Sequence, residues 1–212
     1  MNFNYINIQR KNASYIIAEI GVNHECSIKV AKKLILLAKR GGADAAKFQT
    51  YKAEKIVKKN SKAYWDIKKE KTKSQFELFS KLDKFQPEDY KNLALYCKKL
   101  KIDFLSTPFD LESVSFLNPL VPLFKISSSD ITNIPLIKKI ANCRKPVILS
   151  TGASNIDEIK SAVKILRKGT KKIIIMHCIL NYPTKDWNAN LSMILDLKKN
   201  FPQYIIGYSD HT

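Results

Sequence analysis

The feature that most constrains this chain is a regular alternation of short apolar runs with amphipathic stretches. The first run is Tyr15-Ile16-Ile17-Ala18-Glu19. A helix is expected from Ser27, as N-cap, to Arg40, with Val30, Ala31, Leu34, Leu37 and Ala38 as its apolar stripe and Gly41-Gly42 as its stop. The second run is residues 45–49. Residues 51–85 then form a lysine-rich excursion containing Tyr64-Trp65 and a short helix near 74–82. A stretch this long between core elements is usually a functional loop or a disordered one. Pro87 stands where an N1 proline belongs, opening a helix to Leu100. Further strands are expected at 103–107, 123–126, 147–151, 173–178 and 204–209. Helices are expected near 110–118, 135–142, 155–167 and 190–200.

Strands alternating with helices imply a parallel sheet covered by helices. An open doubly wound sheet and a (β/α)8 barrel both satisfy that pattern. The barrel is favoured because every strand ends in polar residues of functional type: Glu19, Lys47 with Gln49, Thr107, Lys125 with Ser128, Ser150 with Thr151, Tyr182, and Ser209 with His211. Barrels draw their sites from the C-terminal ends of several strands. A doubly wound sheet concentrates its site at one switch point, usually beside a glycine-rich turn, and Ile20-Gly21-Val22-Asn23-His24 is no such turn. Seven strands are expected where a barrel has eight and about 250 residues. The fold class expected is therefore α/β, a TIM-type (β/α)8 barrel truncated after the seventh strand, with residues 1–212 forming one incomplete domain.

Composition narrows the function classes. Lys+Arg number 37 against 19 Asp+Glu, a formal charge of +18. Only Arg10, Arg40, Arg144 and Arg167 are arginines, and the lysines are scattered among many Ile and Asn. That looks like compositional bias rather than the arginine forks of a nucleic-acid reader. An anionic small substrate suits a basic chain equally well. No apolar run approaches the roughly 18 residues of a membrane span, and Met1-Asn2-Phe3-Asn4 lacks the regions of a signal peptide. Cys26, Cys97, Cys143 and Cys178 have no CxxC spacing and read as reduced, mostly buried thiols of a cytoplasmic protein.

Lys47 and Lys125 are each embedded in an apolar strand. A lysine is rarely buried unpaired. Such a pair reads either as structural ion pairs or snorkelling side chains, or as two cations facing an anion, with Thr107, Ser128, Ser150 and Ser209 as hydroxyl donors. Two lysines and several hydroxyls suit a phosphate with a carboxylate. Glu19 and Asp130 could position hydroxyls or move protons, and Asp130 could equally be a helix N-cap. His24 is followed by Glu25 without an HExxH pattern and reads as structural. His177 reads as a satisfied core histidine. His211 is the best metal-ligand candidate, although one histidine does not make a metal site.

Five blocks in order resemble the sialic acid synthase family: Ile17-Ala18-Glu19-Ile20-Gly21-Val22-Asn23-His24, Ala46-Lys47-Phe48-Gln49-Thr50, Phe104-Leu105-Ser106-Thr107-Pro108-Phe109-Asp110, Phe124-Lys125-Ile126-Ser127-Ser128 and Ile148-Leu149-Ser150-Thr151-Gly152. His177-Cys178 leading to Tyr182-Pro183-Thr184, and Gly207-Tyr208-Ser209-Asp210-His211-Thr212, extend the match. The resemblance implies a TIM barrel followed by a small antifreeze-like domain, with the eighth unit and that domain outside these residues. It implies an enzyme, a transferase condensing phosphoenolpyruvate with an N-acetylated hexosamine such as N-acetylmannosamine and releasing phosphate. A divalent metal, typically manganese, polarises the sugar aldehyde in that family. By the same resemblance Lys47, Thr107, Lys125, Ser128, Ser150 and Ser209 match phosphoenolpyruvate contacts. Gln49, Asp130 and Tyr182 match sugar-side positions. Glu19 matches the acidic residue near the reacting centre, and His211 the first metal histidine, with the second expected beyond residue 212. Leu180 departs from the pattern, standing where many members carry a polar residue, and Asp130 is often Glu. The family also implies a homodimer at full length, with neither nucleic acid nor membrane as partner, and a 212-residue chain that does not condense its substrates alone. Two other readings of the residues stay open: a Schiff-base aldolase barrel using Lys47 or Lys125, and a non-catalytic basic protein.

Overall fold

The computed structural model describes residues 13–212; the Met1-Asn2-Phe3-Asn4 start and Arg10 lie outside them. The chain divides into two compact units at Pro122/Leu123.

The first unit carries β1 (Ile17–Gly21), α1 (Ile28–Arg40), β2 (Ala45–Thr50), α2 (Ala53–Ile56), α3 (Gln75–Leu82), α4 (Pro87–Leu100), β3 (Asp103–Pro108) and α5 (Leu111–Leu117). Its strands pair in parallel in the order β1-β2-β3. Register decides what each face carries. Glu19 lies opposite Lys47, and Gln49 opposite Thr107. Residues two apart on a strand share a face, so Lys47 and Gln49 look the same way, with Glu19 and Thr107 beside them. The opposite face carries Ala46, Phe48, Phe104 and Ser106. There Phe48 and Phe104 pack with ring centroids 5.7 Å apart, and Thr50 and Ser106 share a hydroxyl hydrogen bond of 2.6 Å.

The helices start where local chemistry supplies an acceptor for their free N–H groups. In α1 the Ser27 hydroxyl accepts from the Val30 amide at 3.3 Å, and Lys39 and Arg40 sit favourably at the C-terminal end. α4 opens with Pro87 at N1 and a reciprocal Gln86–Asp89 capping box. The expected stripe of α1 needs correction. Its buried row is Ala31 and Ile35, one helical turn apart, whereas Val30 and Leu37 are exposed. Those two lie well round the helix, at about 100° per residue, from the row that meets the sheet. The lysine-rich excursion is ordered. Asp83 Oδ2 accepts from the Ala53 amide at 2.9 Å and Lys52 donates to the Asp83 carbonyl at 3.0 Å, which clamps the two ends. An antiparallel bridge joins Lys62 to Ser74, and the Trp65 indole donates to the Thr72 carbonyl at 3.2 Å.

The second unit carries β4 (Phe124–Ile126), a 3-10 turn (Ser128–Asp130), α6 (Ile134–Asn142), β5 (Val147–Ser150), α7 (Ile156–Leu166), β6 (Ile173–His177), a second 3-10 turn (Asp186–Asn188), α8 (Met193–Asn200) and β7 (Ile205–Tyr208). All pairings are again parallel, in the order β4-β5-β6-β7. Lys125, Ile148, Ser150, Ile174, Met176 and Gly207 share one face by register; Phe124, Ile126, Leu149, Ile175 and His177 share the other. The expected seven strands are thus present among the described residues, each within one or two residues of its expected bounds. Among these residues no helix is long and apolar enough to cross a membrane. All four cysteines are free, but only Cys97 and Cys178 are buried; Cys26 and Cys143 are half-buried. Both of those sit at turns at the edges of helices, where a small side chain is only partly covered.

Helix α6 and the end of α7 approach each other closely at Gly169. A Cβ built there would lie 1.8 Å from the Ala141 carbonyl oxygen and 2.5 Å from its carbon. These are backbone atoms, so the collision cannot be relieved by a rotamer change. Gly169→Ala is expected to destabilise the chain by about 3 kcal/mol or more. Urea unfolding followed by circular dichroism measures it, and an unchanged midpoint would contradict the packing described.

Candidate functional site

In the first unit the sequence places a cation in an apolar strand, and the register supplies its partners. Lys47 is buried at 5% exposure. Its ammonium lies 2.7 Å from Glu19 Oε2 and donates to Thr107 Oγ1 at 3.1 Å. The Glu19 side chain is about half exposed, at 54%, so this pair faces solvent on its acidic side. The strand β1 runs on past Glu19 to Gly21, where the register with β2 breaks and φ is +56°. Only a residue without a Cβ adopts that conformation cheaply. Gln49 is half-buried on the face of Lys47, and its carbonyl accepts from the Tyr90 hydroxyl at 3.0 Å.

In the second unit Lys125 repeats the arrangement. It is buried, and its ammonium donates to Ser150 Oγ at 2.5 Å and to the Ile126 carbonyl at 3.3 Å. Ser128 is buried in the turn that follows β4. Asp130 ends that turn, and burial raises its carboxyl above the ordinary range. It is not the N-cap of the next helix. That role belongs to Asn133, whose Oδ1 accepts from the Leu136 amide at 3.3 Å while its Nδ2 donates to Asp130 Oδ1 at 3.0 Å. The chain needs the whole 3-10 turn before it can enter α6, which moves the cap three residues on.

The loop after β7 brings His211 to the loop after β6. His211 Nδ1 lies 2.6 Å from the Ile179 carbonyl oxygen. A carbonyl only accepts, so Nδ1 carries the proton and Nε2 presents its lone pair. That nitrogen lies 3.0 Å from the Tyr182 hydroxyl and 3.3 Å from Ser209 Oγ. The Tyr182 ring stacks on the imidazole at 4.1 Å while remaining 70% exposed. A ligating histidine typically has its second ring N–H fixed by such a carbonyl, so His211 is oriented as one metal ligand would be. Among the described residues no group of three or more His, Cys, Asp and Glu side chains is arranged to hold a metal. They offer one oriented nitrogen and no full set of ligands.

The candidate residues therefore gather in two groups: Glu19, Lys47, Gln49 and Thr107 in the first unit, and Lys125, Ser128, Asp130, Ser150, Tyr182, Ser209 and His211 in the second. The other two histidines belong to the cores. His177 is buried, with Nε2 2.8 Å from the Ala189 carbonyl and its ring stacked on Tyr208. His24 is buried and stacked on Phe85 at 4.2 Å, with Nδ1 accepting from the Cys26 amide at 3.1 Å. Two contributors carry no motif signal of their own. They are the Ile179 carbonyl that orients His211 and the Asn133 side chain that holds Asp130. Backbone acceptors leave no trace in sequence, and Asn133 lies outside every element expected from it, with Asp130 as the candidate cap instead.

A profile of the NeuB family matches residues 34–212. The N,N'-diacetyllegionaminic acid synthase of Campylobacter jejuni is 45% identical over 203 residues, covering 93% of this chain and 60% of that protein. The N-acetylneuraminate-9-phosphate synthase of Mus musculus is 37% identical over 205 residues, covering 95% of this chain and 56% of that protein. The crystal structure of N-acetylneuraminic acid (sialic acid) synthetase from Leptospira borgpetersenii, in complex with citrate, matches with a TM-score of 0.84 at 35% identity, covering 95% of this chain and 66% of that one. The chain spans between 56 and 60% of the length of these two curated relatives.

Burial lowers the pKa of His24 from 6.5 to about 4. The unfolded chain takes up this proton near pH 6.5, whereas the folded chain resists it down to about pH 4. Stability present above pH 6.5 is therefore lost progressively as pH falls through that window. Melting temperatures measured from pH 7 to pH 4 should decline, and His24→Leu should be less stable at pH 7 but lose less on acidification. An equally deep acid decline in the variant would show that the imidazole is not its source.

Proposed function

The chain belongs to the NeuB family, and on that footing we propose that it forms the phosphoenolpyruvate-binding part of a nonulosonic acid synthase. The reaction is a transferase-type condensation. Phosphoenolpyruvate, water and the open-chain aldehyde of an N-acetylated hexosamine such as N-acetylmannosamine give the nonulosonic acid and inorganic phosphate. The seven strand–helix units are read as those of a (β/α)8-type barrel.

The observation that carries this reading is that each unit holds a buried lysine whose ammonium donates to a hydroxyl at the end of the neighbouring strand: Lys47 to Thr107, and Lys125 to Ser150. A structural lysine would be satisfied by a carboxylate with both charges out of water. Lys47 instead pairs with a Glu19 side chain that is about half exposed, and Lys125 donates to the Ser150 hydroxyl and the Ile126 carbonyl. An ammonium fixed at the end of a parallel strand is a charge-assisted donor for an anion bound there. On this reading Lys47, Thr107, Lys125, Ser128, Ser150 and Ser209 contact phosphoenolpyruvate, a substrate with a phosphate and a carboxylate. Gln49, Asp130 and Tyr182 contact the sugar.

The chemistry then divides among the chain's own groups. The lysines offset the substrate's negative charge and the hydroxyls fix its orientation. Glu19, held beside Lys47, stands as the acidic group close to the reacting centre. Asp130, with its raised pKa, keeps a proton to higher pH than a free carboxyl does. A divalent ion such as manganese, when bound with His211 Nε2 as one ligand and others from outside these residues, would polarise the aldehyde as a Lewis acid. The sequence and its relatives bring legionaminic and sialic acid precursors into range as sugar substrates. A cytoplasmic homodimer at full length completes the reading.

Binding tests it without depending on turnover. Calorimetric titration of the chain with phosphoenolpyruvate should show saturable binding. Lys125→Met should weaken it by about 2–5 kcal/mol, roughly 30- to several-thousand-fold, and Lys47→Met by a comparable factor. Wild-type affinity in Lys125→Met would overturn the assignment. Covalent trapping of pyruvate by borohydride would instead point to a Schiff-base enzyme.

A further inference from the structure

Beyond the end of β5 the chain stays on β6 for one more residue. The Thr151 amide and hydroxyl both donate to the Met176 carbonyl, at 3.1 and 3.0 Å. Gly152 follows, buried. A Cβ built on Gly152 would lie 2.9 Å from Cys178 Sγ, 3.1 Å from the Cys178 carbonyl oxygen and 3.2 Å from Ser128 Oγ. Its φ is not in the left-handed region, so the backbone itself would accept alanine; the obstacle is space. Three loops thus meet on one Cα, with Ser128 from the turn after β4, Gly152 from the loop after β5 and Cys178 from the loop after β6. Two of the three contacts are side-chain tips, but the carbonyl is backbone and cannot turn aside. Ser128 is also three residues from Lys125, whose ammonium is held by Ser150, two residues before Gly152.

We infer that Gly152 is a positioning residue for the anion site: its missing side chain lets the β4, β5 and β6 loops close together and sets the Ser128 hydroxyl beside the Lys125–Ser150 pair. A methyl group at 152 pushes on a carbonyl that does not yield and on Cys178 and Ser128, which do. Ser128 lies on the short turn after β4, so a push on its side chain moves the hydroxyl. The inference rests on the reading of this site as a phosphoenolpyruvate site. It adds a residue that touches no substrate and makes Cys178 a packing neighbour rather than a chemical participant.

The experiment measures phosphoenolpyruvate affinity by calorimetry, and melting temperature without ligand, for the wild-type chain, Gly152→Ala, Cys178→Ala and the Gly152→Ala/Cys178→Ala double variant. Gly152→Ala should bind about tenfold more weakly or worse, the weight of a lost hydrogen bond to a charged group. Cys178→Ala should bind as wild type. The double variant should regain part of the affinity, because removing Sγ opens the 2.9 Å contact and leaves the 3.1 Å carbonyl and 3.2 Å Ser128 contacts in place. In a Ser128→Ala background Gly152→Ala should cost little further affinity, a coupling that general loosening of the fold would not produce. A wild-type chain that does not bind phosphoenolpyruvate sinks the functional reading and this inference with it. A wild-type chain that binds while Gly152→Ala binds equally well sinks the inference alone. If Gly152→Ala does not fold, Ser128→Ala in the otherwise wild-type chain decides: an affinity about tenfold weaker supports a placed Ser128 hydroxyl, and wild-type affinity overturns the inference.

Discussion

A lysine ammonium inside an apolar parallel strand must be given partners before the strand can be buried, because an unpaired charge away from water is among the costliest things a fold can hold. Both units draw partners from neighbouring strands, at positions the register brings alongside: Glu19 and Thr107 for Lys47, and Ser150 for Lys125. Much else follows from that choice. A hydroxyl at the end of a parallel strand fixes where the ammonium points, and parallel pairing puts all such strand ends at the same end of their sheet. The polar residues beyond β4 to β7 are therefore gathered at one end of the four-stranded sheet. Ser128, Ser209, Tyr182 and His211 all belong to that end.

The opposite faces explain why the arrangement is affordable. Phe48, Phe104 and His24 in the first unit, and Phe124, Leu149, Ile175 and His177 in the second, are buried. Apolar burial of this kind contributes about 25 cal/mol per Å² and offsets the cost of the two buried cations. The two core histidines show the same economy by opposite routes. His177 finds an acceptor in the Ala189 carbonyl and a ring in Tyr208. His24 is held by aromatic stacking and the Cys26 amide, and its Nε2 has no hydrogen-bond partner among the described residues. The loop that it anchors leads from Glu19 toward α1 with three left-handed residues, Gly21, Glu25 and Cys26.

Family membership and site geometry answer different questions. The identity to synthases of legionaminic and N-acetylneuraminate-9-phosphate type places the chain in its family. The geometry shows what the matching residues can do here. His211 is turned by the Ile179 carbonyl so that Nε2 faces the Tyr182 and Ser209 hydroxyls. Asp130 is buried and held by Asn133 rather than capping a helix. Leu180, the departure from the family pattern, is exposed, so its apolar side chain has not been taken into the core.

The sequence by itself determined the order and type of the elements. Alternating periodicity, Ser27, Ser74 and Pro87 as helix starts, and polar residues closing each apolar run were all legible, because they are local consequences of backbone hydrogen bonding. It also singled out Lys47, Lys125 and their hydroxyl candidates, because a charged residue in an apolar strand is conspicuous in one dimension. Tertiary structure alone decided which hydroxyl each lysine uses, which face of α1 is buried, that Asn133 rather than Asp130 caps α6, and that the 51–85 excursion is clamped by Asp83. It alone showed that Gly152 lies against both Ser128 and Cys178. Those outcomes depend on strand register and on backbone carbonyls brought together from distant positions. A carbonyl is the same in every residue, so no sequence pattern can mark the ones that matter.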